Sequence, residues 1–268
     1  MLNQLALNTN TYHGFSLKEA LKGAYDAGFK QVEIAAVRDH TAHVTTDFTE
    51  RQFDEVKELL ELYNLTCIGV SAHSNVMTDE GIQQLVENID LAEVFDCKYV
   101  VTATGDSHDD MDVIDDIQTL VKNLEPVVEK CNRLNKTLVI ETHGNNFATG
   151  KSLMKLVNAL NNQVKINYDT ANVIFYGNQE PYNDLEESVQ YVEFIHLKDK
   201  QGDHHEFNFP AIGDGYLDYG RLFRILEENG FVGPISVEVE FTPEGPRNID
   251  EVHQAVKRSY QYLHKKLV

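Results

Sequence analysis

Short apolar runs rich in β-branched residues alternate along the chain with longer segments in which apolar residues recur every three or four positions. The runs at 4–8, 31–35, 66–72, 99–103, 137–141, 165–169, 192–197 and 235–240 predict eight strands. The segments between them predict amphipathic helices. Ser16 and Glu19 form a capping box, in which hydroxyl and carboxylate satisfy each other's orphan amides. The stripe Leu17, Ala20, Leu21, Ala24 follows, and Gly28 suits the C-cap. A second box, Thr49 to Gln52, precedes Phe53, Val56 and Leu60. Further stripes run through Ile82 to Ile89, through Ile117 to Cys131 with a kink expected at Pro126, through Leu153 to Leu160, and through Leu222 to Leu226. A short, weak stripe surrounds 185–189, and Val252, Val256, Tyr260 and Leu263 form the last.

Eight strands, each followed by a helix, predict a closed parallel (β/α)8 TIM barrel, with residues 1–268 as one domain. An open doubly wound sheet would place a glycine-rich phosphate turn after the first strand. The turn here reads Asn8-Thr9-Asn10-Thr11-Tyr12-His13-Gly14, without that pattern. The insertion 204–217 after the seventh strand predicts a small hairpin over the barrel mouth.

Charge narrows the possible partners. With 43 acidic and 23 basic residues, the formal net charge is −20, which repels nucleic-acid backbones and anionic lipid. Neither nucleic acid nor membrane is expected as a partner. Met1-Leu2-Asn3-Gln4 lacks the basic-then-apolar opening of an export signal, and no apolar run approaches the ~18 residues of a membrane span. A soluble, cytoplasmic protein is expected. Cys67, Cys97 and Cys131 are widely spaced and odd in number, which fits free core thiols in a reducing compartment. Homo-oligomerisation through the outer helical faces stays open.

Reactive groups in such a barrel come from the carboxyl ends of the strands. The fifth, sixth, seventh and eighth strands end with Glu141, Asp169, His196 and Glu238. Charged groups there are costly to desolvate unless paired or metal-bound, and three crowded carboxylates repel one another. One divalent cation resolves both problems, and carboxylate oxygens with an imidazole suit Mn²⁺, Mg²⁺, Co²⁺ or Zn²⁺. Glu240 shares a strand face with Glu238. Glu238, the deeper of the two, is the preferred ligand, with Glu240 beside it or in contact with substrate.

These motifs bear a resemblance. Val139-Ile140-Glu141, Tyr168-Asp169-Thr170-Ala171-Asn172, Ile195-His196-Leu197-Lys198-Asp199-Lys200, Ile212-Gly213-Asp214-Gly215 with Asp218, and 230–238 lie in the order and spacing of the sugar-phosphate isomerase/epimerase superfamily. That superfamily has a xylose isomerase-like barrel, and the chain resembles it throughout its length. The resemblance implies a single metal held by Glu141, Asp169, His196 and Glu238. It also implies that Glu141 and Glu238 act as acid and base on opposite faces of a sugar or sugar phosphate, through a metal-stabilised enediolate. His73, His143, Asn145, Asn172 and Lys198 are the candidate substrate contacts.

Departures from the ketose 3-epimerase pattern keep a second activity open. The stretch 199–209 has no arginine and offers Lys200, His204 and His205, with Lys198 just before it. Asn172 stands where those enzymes carry a histidine. The barrel and the sequence His196-Leu197-Lys198-Asp199 also resemble inosose dehydratases, lyases that eliminate water by a related route, for which His143, Lys198 or His73 would serve as the acid. The three-zinc endonuclease branch is rejected. The fourth strand ends without histidine, and Asp203-His204-His205 is out of step with the Gly213-Asp214-Gly215 anchor.

Other polar residues carry simpler expectations. Lys198 and Asp199 are expected to pair with each other. Glu33, if inward, needs a partner such as Lys198. His40 and His43 are expected to be solvated, His253 and His264 structural, and His108 with Asp109 and Asp110 next to a helix start. Gly213 and Gly215, with Lys198 or Arg247, are the candidates for a phosphate site, so the choice between free and phosphorylated sugar stays open.

Overall fold

In a computed structural model describing residues 1–105 and 116–267, eight parallel strands close into one barrel in sequence order. They are β1 (Leu5–Asn8), β2 (Gln31–Ala35), β3 (Thr66–Ser71), β4 (Tyr99–Thr102), β5 (Thr137–Glu141), β6 (Lys165–Asp169), β7 (Val192–Leu197) and β8 (Ile235–Val237). Every strand is covered on both faces, so most read as near-continuous apolar runs. His108, Asp109 and Asp110 lie outside the described residues.

The helices follow the predicted stripes: α1 (Leu17–Ala27), α2 (Glu50–Leu62), α3 (Asp79–Val94), α4 (Ile117–Arg133) and α5 (Gly150–Ala159). After them come α6 (Asn172–Phe175), α7 (Pro181–Ser188), α8 (Tyr219–Glu228) and α9 (Ile249–Leu267). Both expected capping boxes form, and Thr149 with Ser152 forms a third. Gly28 is left-handed at φ 113°, as the C-cap requires. Helix α4 runs through Pro126 without a break.

Two cores result. Tyr99, Val101, Val139 and Phe194 pack together with Ile68. Val139 and Phe194 lie two residues before Glu141 and His196, on the same strand faces, so this cluster fills the barrel below the site. The larger core joins the helices to the outer strand faces. Rigid packing beneath and around the strand ends fixes the height at which their side chains emerge.

The insertion after β7 corrects one expectation. Residues 204–217 form no hairpin of their own; Phe209 instead makes an antiparallel bridge with Phe241. The loop is pinned by Asp199, whose carboxylate accepts backbone N–H bonds from Lys200 (2.9 Å), Gly213 (2.8 Å), Gly215 (3.0 Å) and Leu217 (3.3 Å). Asp199 therefore does not pair with Lys198. Strand β8 stops at Val237, three residues short of the predicted end, because the chain beyond it turns to meet Phe209.

Candidate metal centre

Strand register builds the site. Asp169 of β6 stands opposite His196 of β7, and His196 opposite Ser236 of β8, two residues before Glu238. Glu141 ends β5 opposite Asn167, two residues before Asp169. One ligand atom from each of Glu141, Asp169, His196 and Glu238 lies within 4.8 Å of the other three, and all four residues are buried. Among the described residues, this is the one such cluster of acidic, histidine or cysteine side chains.

Each candidate ligand is held by neighbouring groups. Asp169 Oδ1 accepts the N–H groups of Ala171 (2.9 Å) and Asn172 (2.8 Å), while buried Oδ2 makes no hydrogen bond and lies 3.2 Å from the Lys198 ammonium. His196 Nε2 faces the Glu33 carboxylate at 2.9 and 3.1 Å. Its Nδ1, likewise without a hydrogen-bond partner, lies 3.2 Å from Glu141 Oε1 and 3.6 Å from Glu238 Oε2. Glu141 accepts from Asn172 Nδ2 at Oε1 (3.0 Å) and meets His73 Nε2 at Oε2 (2.5 Å). Glu238 Oε1 accepts from Asn10 Nδ2 (2.8 Å). Buried carboxylate and imidazole atoms that make no hydrogen bond, ringed by further carboxylates, fit a hard or borderline divalent cation.

The electrostatics agree with a cation site. Burial pushes the Asp169 carboxyl up to about 7; Lys198 opposes this, and the Glu141 charge adds to it. Burial also works against ionisation of Glu141, but His196 and His73 outweigh it and hold the group well below the usual range. Lys198 Nζ sits 2.7 Å from Glu240, 3.1 Å from Glu238 and 3.2 Å from Asp169. Burial disfavours its charge, yet those carboxylates hold the ammonium well above its usual value.

A cavity of about 630 Å³ opens onto this cluster, lined in part by His73, His143, Lys198, Glu141, Glu238 and Glu240. A smaller cavity of about 380 Å³ lies at the amino-terminal end of the barrel and touches none of the four. Of the expected substrate contacts, His73, His143 and Lys198 line the larger cavity. Asn172 lies behind Glu141 as its hydrogen-bond donor. Asn145 is exposed in the turn after β5 and is not part of the cavity wall.

Several partners differ from expectation. Glu33 is fully buried and inward, but it meets His196 Nε2 and the Ser236 hydroxyl (2.7 Å), not Lys198. Lysine is the wrong partner because Lys198 is held by three carboxylates at or just beyond the ends of the flanking strands β6 and β8, on the side of the barrel away from β2. His43 is not solvated: it is half-buried, with Nε2 against the Phe15 carbonyl. His40 is exposed and stacks on His13. His204 and His205 engage Asn178 and the Phe175 carbonyl, apart from the cluster. Asn10 was missed altogether. It follows β1 on a short turn, and nothing in an Asn-Thr-Asn-Thr stretch marks which amide reaches a glutamate on the neighbouring strand.

The family described as xylose isomerase-like TIM barrel matches residues 21–262. An inosose dehydratase of Clostridium perfringens (strain 13) is 25% identical over 245 residues, covering 84% of this chain and 74% of that protein. An inosose dehydratase of Geobacillus kaustophilus is 28% identical over 143 residues, 47% of this chain and 46% of its own length. The structure of D-allulose 3-epimerase from Methylomonas sp. with D-allulose superposes with a TM-score of 0.77 at 16% identity, covering 98% of this chain and 96% of that one. A barrel protein of Mycobacterium smegmatis in complex with magnesium gives 0.78 at 15% identity, covering 99% and 98%. At such identities these structures share the fold.

Proposed function

The chain belongs to the xylose isomerase-like TIM barrel family, and from that premise we propose that it is a divalent-metal-dependent isomerase or epimerase of a polyhydroxylated carbonyl compound. The observation that carries this reading is the buried quartet Glu141, Asp169, His196 and Glu238, with its ligand atoms turned to one point at the cavity floor. A divalent cation held there supplies the positive charge that acidifies the carbon next to the substrate carbonyl.

The chain's own residues then move the proton. Glu141 and Glu238 flank His196 Nδ1 from two strands, so a substrate seated between them meets a carboxylate on either side. One takes the proton α to the carbonyl, and the other returns a proton to the opposite face. The tasks differ, and so do the surroundings. Glu141 is backed by His73 and Asn172, whereas Glu238 is backed by Lys198 and Asn10. Burial opposes ionisation of both, but His196 and His73 hold Glu141, and Lys198 and His196 hold Glu238, below the usual carboxylate range, so both start as carboxylates and the returned proton is the one that the first of them has taken up or one drawn from solvent.

The test is deuterium incorporation from heavy water into a panel of ketoses and inososes, with Mn²⁺ added. Glu141→Gln and Glu238→Gln should each lower turnover by about 10²–10⁴-fold, the usual worth of a general acid or base, while circular dichroism stays that of the folded protein. Wild-type rates in either variant would remove that residue from the mechanism.

A second reading is supported by the relatives named inosose dehydratase and by His73, whose Nε2 meets Glu141 at the cavity. In that reading the same proton abstraction is followed by loss of a β-hydroxyl, with His73, His143 or Lys198 as the acid. An unsaturated or dione product would indicate the lyase; an epimerised or isomerised sugar would indicate the first reading.

A further inference from the structure

Resting on that proton-transfer chemistry, we infer that the substrate is an uncharged polyhydroxy carbonyl compound and not a phosphate ester, because most groups that would grip a phosphate are already held by the chain's own carboxylates and carbonyls and the cavity wall carries more acidic than basic side chains. Barrels often bind phosphate at glycine turns after the seventh strand. Here the Gly213 and Gly215 amides donate to Asp199 Oδ2 at 2.8 and 3.0 Å. An anion of the chain fills that seat.

Lys198 and Arg247, the side chains expected to add charge there, are equally committed, and so is neighbouring Lys200. Lys198 Nζ is shared among Asp169, Glu238 and Glu240. Lys200 Nζ donates to the carbonyls of Gln201 and Asp203, both at 2.7 Å. Arg247 pairs with Glu251. The amino end of α3 does edge the cavity through Thr78, Glu80 and Gly81. Its first turn, however, carries Asp79 and Glu80, and Thr78 caps the Gly81 N–H at 3.0 Å. Carboxylates already complement that helix dipole, and a phosphate approaching it meets like charge.

What remains of the wall is mostly neutral or acidic. Among the described lining residues, Arg38 is the cation besides Lys198; it is exposed, and Asp39 follows it. Against these two cations stand five carboxylates: Asp39, Glu80, Glu141, Glu238 and Glu240. One bound divalent cation leaves the cavity's formal charge negative. Ser71, Ser74, Asn75 and Gln84 supply hydroxyls and amides suited to sugar hydroxyls.

The experiment compares kcat/KM for deuterium exchange between free ketoses or inososes and their phosphate esters, on Mn²⁺-loaded protein. The free compound should be preferred by about 10-fold or more. Rising salt should shrink the gap by screening, as should the double variant Asp39→Asn, Glu80→Gln. An ester preferred over its free sugar overturns this inference, and the exchange observed in that case would uphold the proposed chemistry. If neither series exchanges, the proposed chemistry is contradicted, and equilibrium dialysis with fructose and fructose 6-phosphate decides the charge question. An ester bound more tightly than the free sugar then overturns the inference, and an excluded ester upholds it.

Discussion

Glu33 shows how a residue away from the substrate governs the centre. Its carboxylate, fully buried, fixes His196 through Nε2 and so turns Nδ1 toward the other three ligands. Partners behind a metal-binding imidazole typically carry 10–100-fold in metal affinity. Glu33→Gln should therefore raise the Kd for Mn²⁺ by that factor in a calorimetric titration, without loss of helical signal. A Kd within twofold of wild type would show that Glu33 does not orient the ligand. The quartet itself was legible in the sequence, because charge at the ends of apolar strands demands a partner. The partners were not. Whether Glu33 meets His196 or Lys198, and that Lys198 ignores adjacent Asp199 for three carboxylates, depends on register and stagger between strands, which periodicity leaves unspecified.

At the scale of elements, two supports are exposed to test. Asp199 ties Lys200, Gly213, Gly215 and Leu217 into the loop after β7. Removing it strands several buried donors, so Asp199→Ala should cost on the order of 3 kcal/mol by denaturant titration; a loss under about 0.5 kcal/mol would mean that the loop re-forms its bonds elsewhere. At Gly81, an added Cβ would lie 2.0 Å from the Asn75 carbonyl oxygen. Gly81→Ala must push α3 away from the cavity wall, costing about 1–3 kcal/mol as overpacking does. Strands were the most legible elements because both of their faces are covered. The predicted hairpin at 204–217 failed because its backbone N–H groups at Gly213, Gly215 and Leu217 bond to Asp199 and its Phe209 pairs with Phe241, partners outside the segment. The weak stripe near 185 is α7, a short helix that needs only Leu185 and neighbouring contacts to hold it.

At the scale of the whole molecule, stability is expected to follow pH and added metal. Burial lowers the His43 pKa, and the Phe15 carbonyl opposes that only in part. Its folded value therefore lies below the unfolded one, near 6.5. The unfolded chain takes up the proton first, so this contribution to stability is present above about pH 6.5 and is lost as pH falls toward the folded value. His43→Gln, which keeps a donor for Phe15, should flatten the wild-type loss of stability between neutral pH and pH 5; an unchanged slope would contradict a neutral buried His43. Ligand linkage also predicts about 2.7 kcal/mol of added stability at 100 times the metal Kd. The decisive measurement is anomalous scattering from crystals grown with Mn²⁺. The account predicts one peak among Glu141, Asp169, His196 Nδ1 and Glu238, with bonds of about 2.0–2.2 Å. A peak elsewhere, or no peak at saturating Mn²⁺, would contradict it.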